Sequence, residues 1–320
     1  MSLSSRRYGV EQEVFLPLAY DPLLQGATPS HKVAALLRHY NLPAMADLDL
    51  RAEPKRFDRS TLWVTEADSS LGDTSWCLEE GAEVVSPILQ GERDLRQLET
   101  VTRHLQAHGF ITDPRTSVHV HHEATDLDLD AWKRLMLNYA LVEPALDRLM
   151  NNDRRGNQNP FAYSTRQPHA VDTLNDRIQA AKTLTDVSNL IFMGGGPVEY
   201  TKLNVQTLPV HGTVEFRQHH GTLDPDAVGH WVRLSQAFVD FSAHQPTLLT
   251  VSDNVTDPEA AWQESMTDDA QVQEQLLGKV ISLAGPKTKQ YYMGVLQDRE
   301  QCLSAPVANA AAPIPFRMAG

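Results

Sequence analysis

Period-two alternation of apolar and polar residues predicts a set of short β-strands along the chain. The alternation covers residues 8–15, 117–123, 202–206 and 213–218, and residues 82–88 form a short, mostly apolar segment. Because successive side chains of a strand point to opposite faces, each alternating segment presents one apolar and one polar face. The pattern therefore predicts a sheet whose two faces differ in polarity.

Helical periodicity and capping residues predict the helices. Residues 92–108 place leucine and valine side chains on one stripe. Asp224 is an N-cap residue followed by Pro225, which together open a helix that runs to about residue 244. Further helices are predicted over 128–150 and over parts of 171–190 and 256–300. We predict the other ordered segments to be strands, and clusters of strands with helices between them indicate an α+β fold with a mainly antiparallel sheet.

Composition limits the class of protein. Of 320 residues, 41% are hydrophobic and 22% are charged, which is typical of a globular protein with a sizeable core. No apolar stretch approaches the ~20 residues of a membrane span, and the N-terminus lacks the apolar region of a secretory signal. Cys77 and Cys302 form neither a C-x-x-C pair nor a disulfide framework. We therefore expect a cytoplasmic protein without membrane association.

The negative charge of the chain argues against nucleic acid as a partner. The formal net charge is −13, and no run of lysine and arginine counteracts it. Such a surface repels phosphate backbones, so a nucleic-acid polymer is not an expected partner.

The polar residues of the predicted strands are unusual for a solvated sheet face, where Thr, Lys and Ser are common. Residues that share a face are Glu11 and Glu13; His119, His121 and Glu123; Lys202, Asn204 and Gln206; and Glu215 and Arg217; the apolar segment adds Glu83. Neighbouring carboxylates repel one another unless a cation lies between them. Carboxylates with an imidazole are typical ligands of Mg²⁺ or Mn²⁺. The pattern favours a metal-lined concave sheet over an ordinary sheet with one solvated face.

These segments resemble the motif set of the amidoligase family, and they occur in the family order. The set comprises G-x-E-x-E, D-x-S, E-x-x-S-P, H-V-H and a late T-x-E-F-R. In this chain the motifs are Gly9-Val10-Glu11-Gln12-Glu13, Asp68-Ser69-Ser70, Glu83-Val84-Val85-Ser86-Pro87, His119-Val120-His121 and Thr213-Val214-Glu215-Phe216-Arg217. The resemblance covers roughly residues 7–245, and the ordered set is more specific than any single motif.

The resemblance implies a curved, mainly antiparallel sheet of the glutamine synthetase and γ-glutamylcysteine ligase type with flanking helices. Residues 1–303 would form a single catalytic domain, with helical insertions near 92–108 and 128–190 and a helical part near 224–300. Residues 304–320 would form an Ala/Pro-rich tail. The implied activity is ATP-dependent joining of a carboxylate to an amine through an acyl phosphate, on an amino-acid, peptide or related small substrate.

The resemblance also implies roles for individual residues. Binding of Mg²⁺ (or Mn²⁺) falls to Glu11, Glu13, Asp68, Glu83, Glu215 and an imidazole from His119 or His121. Glu11 and Glu13 would bridge the metals at the phosphates of ATP. Arg217 would contact the γ-phosphate and the developing acyl phosphate, because a guanidinium can span two phosphoryl oxygens. Asn204 is either a nucleotide or substrate contact or a structural amide.

The sequence is compatible with several alternatives. Either His119 or His121 could coordinate metal, and Glu66 and Asp68 compete for one acidic position because they would share a strand face. A zinc- or iron-dependent hydrolase that uses the His-x-His strand is one rival function, although it leaves Arg217 without a role. A catalytically inactive nucleotide- or peptide-binding protein on the same fold is the other.

Kinship with the family implies association with a glutamine amidotransferase-like protein, beside small carboxylate and amine substrates. The long polar stretch over 151–169 contains Arg154, Arg155 and Arg166. Long loops in compact domains are often functional, so Arg166 is a candidate for a substrate carboxylate or phosphate, with a surface arginine as the simpler interpretation.

Overall fold

A mixed, mostly antiparallel sheet organises the chain in the computed structural model, which describes residues 2–52, 58–67, 71, 80–166, 171–190, 200–252 and 257–304. Its strands are β1 (Arg7–Phe15), β2 (Ala44–Ala46), β3 (Trp63–Glu66), β4 (Gly81–Val85), β5 (Leu89–Gln90), β6 (Ser117–Glu123), β7 (Leu203–Asn204) and β8 (Thr213–His220). Their order is β2-β3-β4-β1-β6-β8-β7, and β5 pairs with β1. The β2–β3 pair is parallel and the other named pairs are antiparallel. The predicted α+β class is confirmed.

The helices include all those that the sequence predicts. They are α1 (Pro29–His39), α2 (Asp47–Ala52), α3 (Gly91–Ala107), α4 (Leu129–Asp147), α5 (Val171–Ala180), α6 (Leu184–Leu190), α7 (Leu208–His211), α8 (Pro225–His244), α9 (Pro258–Ser265), α10 (Ala270–Leu283) and α11 (Pro286–Ser304). Short 3₁₀ helices cover Arg59–Thr61 and Asn152–Arg154. As predicted, the Asp224 side chain caps α8 by accepting a hydrogen bond from the Asp226 amide. No helix within the described ranges is long and apolar enough to cross a membrane.

The expectation of strands in the remaining segments is wrong for α1, α2 and α7. In α1 the Thr28 hydroxyl accepts a hydrogen bond from the His31 amide, and Pro29 opens the first turn. This is the same N-cap and proline signal that predicts α8. The apolar face of α1 (Val33, Ala34, Leu36 and Leu37) then packs into the core. Local capping chemistry therefore carried enough information to place this helix.

Strand β7 is also shorter than the predicted 202–206 segment. The Gln206 amide donates to the Asn204 side-chain oxygen (3.0 Å), a turn that ends the strand after two residues. Lys202 does not join Asn204 on the polar face. Its ammonium group instead donates to both carboxylate oxygens of Asp147 at the end of α4 (2.7 and 2.8 Å).

One face of the sheet is apolar and is covered by helices. Its fully buried side chains include Val10, Val14, Val84, Val120 and Phe216, each of which contributes roughly 1.5–3 kcal/mol on burial. Hydrogen bonds tie four helices to this face: Thr65 to the Ser30 carbonyl of α1, Thr102 of α3 to Gln12, Tyr139 of α4 to Gln218, and His122 to Ser235 of α8. The helices α1, α3, α4 and α8 therefore lie against the apolar face, and the polar residues occupy the opposite face of the sheet.

A β-bulge interrupts the pairing of β6 with β8. Val120 pairs with Phe216 and Val118 pairs with His219, so two residues of β8 oppose His119 alone. The extra residue lies at Arg217–Gln218. Bulges bend a strand locally and redirect its side chains, and here Gln218 reaches α4 while Arg217 reaches the polar face.

Candidate functional site

Three neighbouring strands place acidic residues directly opposite one another on the polar face. Glu13 of β1 pairs with Glu83 of β4, and Glu83 pairs with Glu66 of β3. Like charges directly opposite each other destabilise a sheet. Burial, together with the charges of Asp47 and Glu11, raises the pKa of Glu66 despite its ion pair with Arg59. An arrangement that is unfavourable for the sheet points to a functional role for this row of acids.

The two histidines of β6 lie against Glu11. His119 Nδ1 is 3.2 Å from Glu11 Oε2, and His121 Nε2 is 3.3 Å from Glu11 Oε1. Hydroxyl groups hold the remaining ring nitrogens: Ser117 Oγ lies 2.6 Å from His119 Nε2, and Thr213 Oγ1 lies 3.2 Å from His121 Nδ1. Such secondary contacts orient an imidazole so that its other nitrogen faces the site.

Strands β8 and β7 complete the group. Glu215 is 3% exposed, and its two oxygens accept hydrogen bonds from Arg217 Nη1 (2.5 Å) and Asn204 Nδ2 (2.8 Å). The oxygen bound by Arg217 also lies 3.5 Å from His119 Nδ1 and 3.8 Å from His121 Nε2. We call Glu11, Glu13, Glu83, His119, His121, Glu215 and Arg217 the site cluster.

The ionisation of the cluster follows from these contacts. Burial alone would raise the pKa of Glu11, but the charge of His121 and a hydrogen bond with His119 hold it well below its usual value. Burial would likewise lower the pKa of His121, yet Glu11 and Glu215 raise it to about 9. For Glu215, the charges of Arg217 and His121 overcome burial and lower its pKa. The carboxylates of Glu11 and Glu215 are thus held in the ionised form that a metal ligand requires.

Two sets of donor atoms within the cluster are close enough to hold a metal ion. One set is Glu11, His121 and Glu215, and the other is Glu11, Glu83 and His119. Each combines two carboxylates with one imidazole, a donor set that suits Mg²⁺ or Mn²⁺. His121 Nε2 is buried and has no hydrogen-bond partner among the described residues, although it faces Glu11 and Glu215. A buried nitrogen between two carboxylates fits a metal ligand, because binding of a cation would displace its proton.

A cavity of about 510 Å³ adjoins the cluster on the His121 side. Its walls include Glu11, Glu66 and His121. Further lining comes from the ion pairs Arg7–Glu123 and Arg59–Glu66 and from the apolar residues Val64, Val85, Pro87 and Ile88. The volume falls within the roughly 300–1,000 Å³ of small-molecule sites, so a small substrate can lie beside the cluster.

The structure brings together most of the predicted site residues. Asn204 joins the cluster through Glu215, whereas Asp68 lies outside the described residues. Glu123 lines the cavity on the predicted face, where it is paired with Arg7. Arg166 forms an ion pair with Asp268 (2.9 Å).

Two residues gain importance only from the structure. Glu66 was one of two candidates for an acidic position, and the register places it directly opposite Glu83. Arg154, from the long polar loop, is 1% exposed and donates to the main-chain oxygen of Arg217 (2.6 Å). The polar composition of that loop was the one signal in the sequence, and it did not distinguish Arg154 from Arg166.

Comparison with known proteins supports the resemblance in the motifs. A sequence profile for the family described as "Putative amidoligase enzyme" matches residues 4–239, which span the whole sheet and most of α8. A search of curated proteins gave no significant match. Because the match covers most of the chain, this protein belongs to the amidoligase family.

Proposed function

We propose that this protein joins a carboxylate to an amine with the hydrolysis of ATP, through an acyl phosphate and with Mg²⁺ or Mn²⁺ bound at the site cluster. Membership in the amidoligase family suggests an amide-forming enzyme. The finer chemistry rests on one observation above all. Buried His121 Nε2, without a hydrogen-bond partner in the described chain, faces the ionised carboxylates of Glu11 and Glu215.

The proposed metal ligands are the two donor sets of the cluster. Glu11 would belong to both, with His121 and Glu215 in one set and Glu83 and His119 in the other. When bound, the ions would neutralise phosphate charge and align ATP with the carboxylate. Glu13 and Glu66 extend the acidic row on either side of Glu83.

Arg217 is the proposed electrostatic catalyst. Phosphoryl transfer needs its partners aligned and its negative charge stabilised, which a preorganised guanidinium can do. Arg217 Nη1 is held by Glu215, while its buried Nε has no hydrogen-bond partner among the described residues. The free donor supports a role in binding an anionic group that forms during the reaction.

The cavity beside His121 is the proposed site of the carboxylate substrate. It reaches Glu11 and His121, where a metal-bound phosphate would lie, and it combines charged and apolar walls. The amine would then attack the activated carbonyl carbon and release phosphate. We also propose that the sheet is of the glutamine synthetase and γ-glutamylcysteine ligase type, since its acids line the polar face.

The placement of the histidines argues against the rival hydrolase. A hydrolase built on the His-x-His strand would use both rings on one metal ion. Here His119 and His121 fall in different donor sets, each with two carboxylates. That geometry favours two hard-ion sites over one histidine-rich site.

Trapping with hydroxylamine tests the acyl phosphate directly. Enzyme, MgATP and carboxylates screened one at a time should give ADP and a hydroxamate when hydroxylamine replaces the amine. The product should require Mg²⁺ or Mn²⁺ and should be lost in Glu11→Gln, because Glu11 belongs to both donor sets. Glu259→Gln is the control, since Glu259 accepts a hydrogen bond from Gln263 on the exposed side of α9 (2.9 Å) and does not line the cavity. Hydrolysis of substrates without ATP, with zinc retained through dialysis, would contradict the ligase.

A further inference from the structure

Arg154 is a buried arginine beneath the bulge of β8. It ends the 3₁₀ helix Asn152–Arg154 and is 1% exposed. Its Nη2 donates to the Arg217 main-chain oxygen, while its Nε has no hydrogen-bond partner among the described residues. A buried cation is costly unless its interactions compensate for lost hydration, so its contact with this carbonyl calls for an explanation.

The local strand pairing explains why the Arg217 carbonyl needs a donor. The bulge disrupts the ladder at Arg217, and the Lys202 amide, which would pair with this carbonyl in a regular ladder, donates to the Tyr163 carbonyl instead (2.9 Å). A buried carbonyl without a partner is unfavourable. The Arg217 amide is already bound to the Lys202 carbonyl (2.8 Å). With Arg154 on the oxygen, both main-chain polar groups of Arg217 are fixed.

A buried network holds Arg154 in place relative to the bulge. Asp147 accepts hydrogen bonds from the Gly156 amide (2.7 Å), from Lys202 and from Gln218 Nε2 (2.6 Å). It thereby ties the segment that carries Arg154 to β7 and to the residue after Arg217. The loop and the bulge therefore form one unit anchored on the end of α4.

We propose that Arg154 is a positioning residue, which fixes the bulge so that the Arg217 guanidinium points into the phosphoryl-transfer site. The inference rests on the proposed function for its catalytic consequence, but its geometry does not. The Arg217 side chain is held by a short hydrogen bond to Glu215 and a long one to His119 (3.4 Å). Both contacts are made by one nitrogen, Nη1, so the direction of the rest of the side chain depends on where the backbone places it.

The effect on turnover should be specific. Arg154→Met removes the donor to the Arg217 carbonyl and should lower kcat by about tenfold or more, because small displacements of a catalytic group are costly. The KM for ATP should stay within about threefold. In an Arg217→Lys background the same change should add less than about twofold, since residues that act through one another are non-additive. Arg155→Met is the matched control, since Arg155 is the next residue and donates to the Met150 carbonyl instead.

A readout that needs no substrate separates this inference from the proposed function. The nitrogen-15 Nε–H resonance of Arg217, assigned by its loss in Arg217→Lys, should shift in Arg154→Met and stay in place in Arg155→Met. Arg154→Lys, which keeps a charged donor, should give a smaller shift and serves if the methionine variant does not fold. An unmoved Arg217 resonance in the Arg154 variants would overturn the inference, as would additive losses of kcat. If wild type shows no ATP-dependent turnover, the proposed function fails while the resonance still decides the positioning role.

Discussion

Two buried charged groups lie on either side of β7 and β8, and they are built differently. The site cluster contains Glu11 and Glu215, with a buried imidazole nitrogen of His121 that lacks a hydrogen-bond partner among the described residues. The second group, which we call the α4 network, consists of Glu143, Asp147, Lys202 and Gln218. Here Lys202 is bound by Asp147 and lies 3.6 Å from Glu143.

The difference is expected if the α4 network is structural and the site cluster is functional, as we propose. In the α4 network each charge has partners: Glu143 accepts from the Thr165 amide (2.7 Å), and Asp147 accepts from Gln218 and Gly156. Buried ion pairs of this kind are stable only when their hydrogen bonds are satisfied. Within the described residues, the site cluster instead leaves donors such as Arg217 Nε without a hydrogen-bond partner. Replacing a residue of the α4 network should therefore lower the free energy of unfolding. Replacing a residue of the site cluster should instead lower kcat.

The largest effect is expected from Lys202→Met in the α4 network. The variant leaves Asp147 and Glu143 buried without their cation, which should lower the free energy of unfolding by about 3–5 kcal/mol. Urea denaturation followed by circular dichroism measures the change. Lys133→Met is the control, because Lys133 donates to an exposed carbonyl on α5 and its loss should be nearly silent. A loss below about 1 kcal/mol for Lys202→Met would show that the network is not structural.

Arg217→Lys should show the opposite behaviour. Lysine keeps the charge but lacks the planar guanidinium that can donate to two oxygens at once. We therefore expect kcat to fall roughly a hundredfold while the nucleotide Kd changes little. The melting temperature should remain near that of wild type. Single-turnover ADP release measures the rate, and calorimetric titration with a nonhydrolysable ATP analogue measures the nucleotide Kd. If kcat stays within a few-fold of wild type, Arg217 is not part of the catalytic face.

The smallest effect distinguishes histidines on the two faces of the sheet. Carboxylates raise the pKa of His121 to about 9 on the polar face. Beneath the other face, burial, with Arg154 nearby, lowers the pKa of His219 from 6.5 to about 4. At pH values between these two, the folded chain binds fewer protons at His219 than the unfolded chain does. The contribution of His219 to the free energy of unfolding is therefore complete above pH 6.5 and decreases as the pH falls towards 4.

The slope of stability against pH tests this difference. His219 should contribute at most ~1.4 kcal/mol per pH unit within that window. Urea denaturation of His219→Gln at several pH values should show a flatter dependence than wild type between pH 4 and 6.5. His244→Gln at the exposed end of α8 should leave the slope unchanged. An unchanged slope in His219→Gln would mean that this ring is protonated in the folded state.

Local patterns in the sequence determined the elements and the polarity of their faces. Alternation alone placed Glu11 with Glu13 and Glu215 with Arg217, and helical periodicity predicted α3, α4 and α8. These features depend on residues within one element, whose geometry repeats every two or 3.6 residues. The N-cap residue Thr28 and the following Pro29 are a local signal of the same kind for α1.

Tertiary structure decided which of these faces meet. The register that sets Glu66 opposite Glu83, and the bulge that redirects Arg217, depend on pairing between strands far apart in sequence. The role of Arg154 depends on packing of a loop under β8. None of these is periodic, because each follows from how separate elements fill space together. The sequence therefore determined the chemistry that the sheet carries, and only the packed structure decided which groups act on one another.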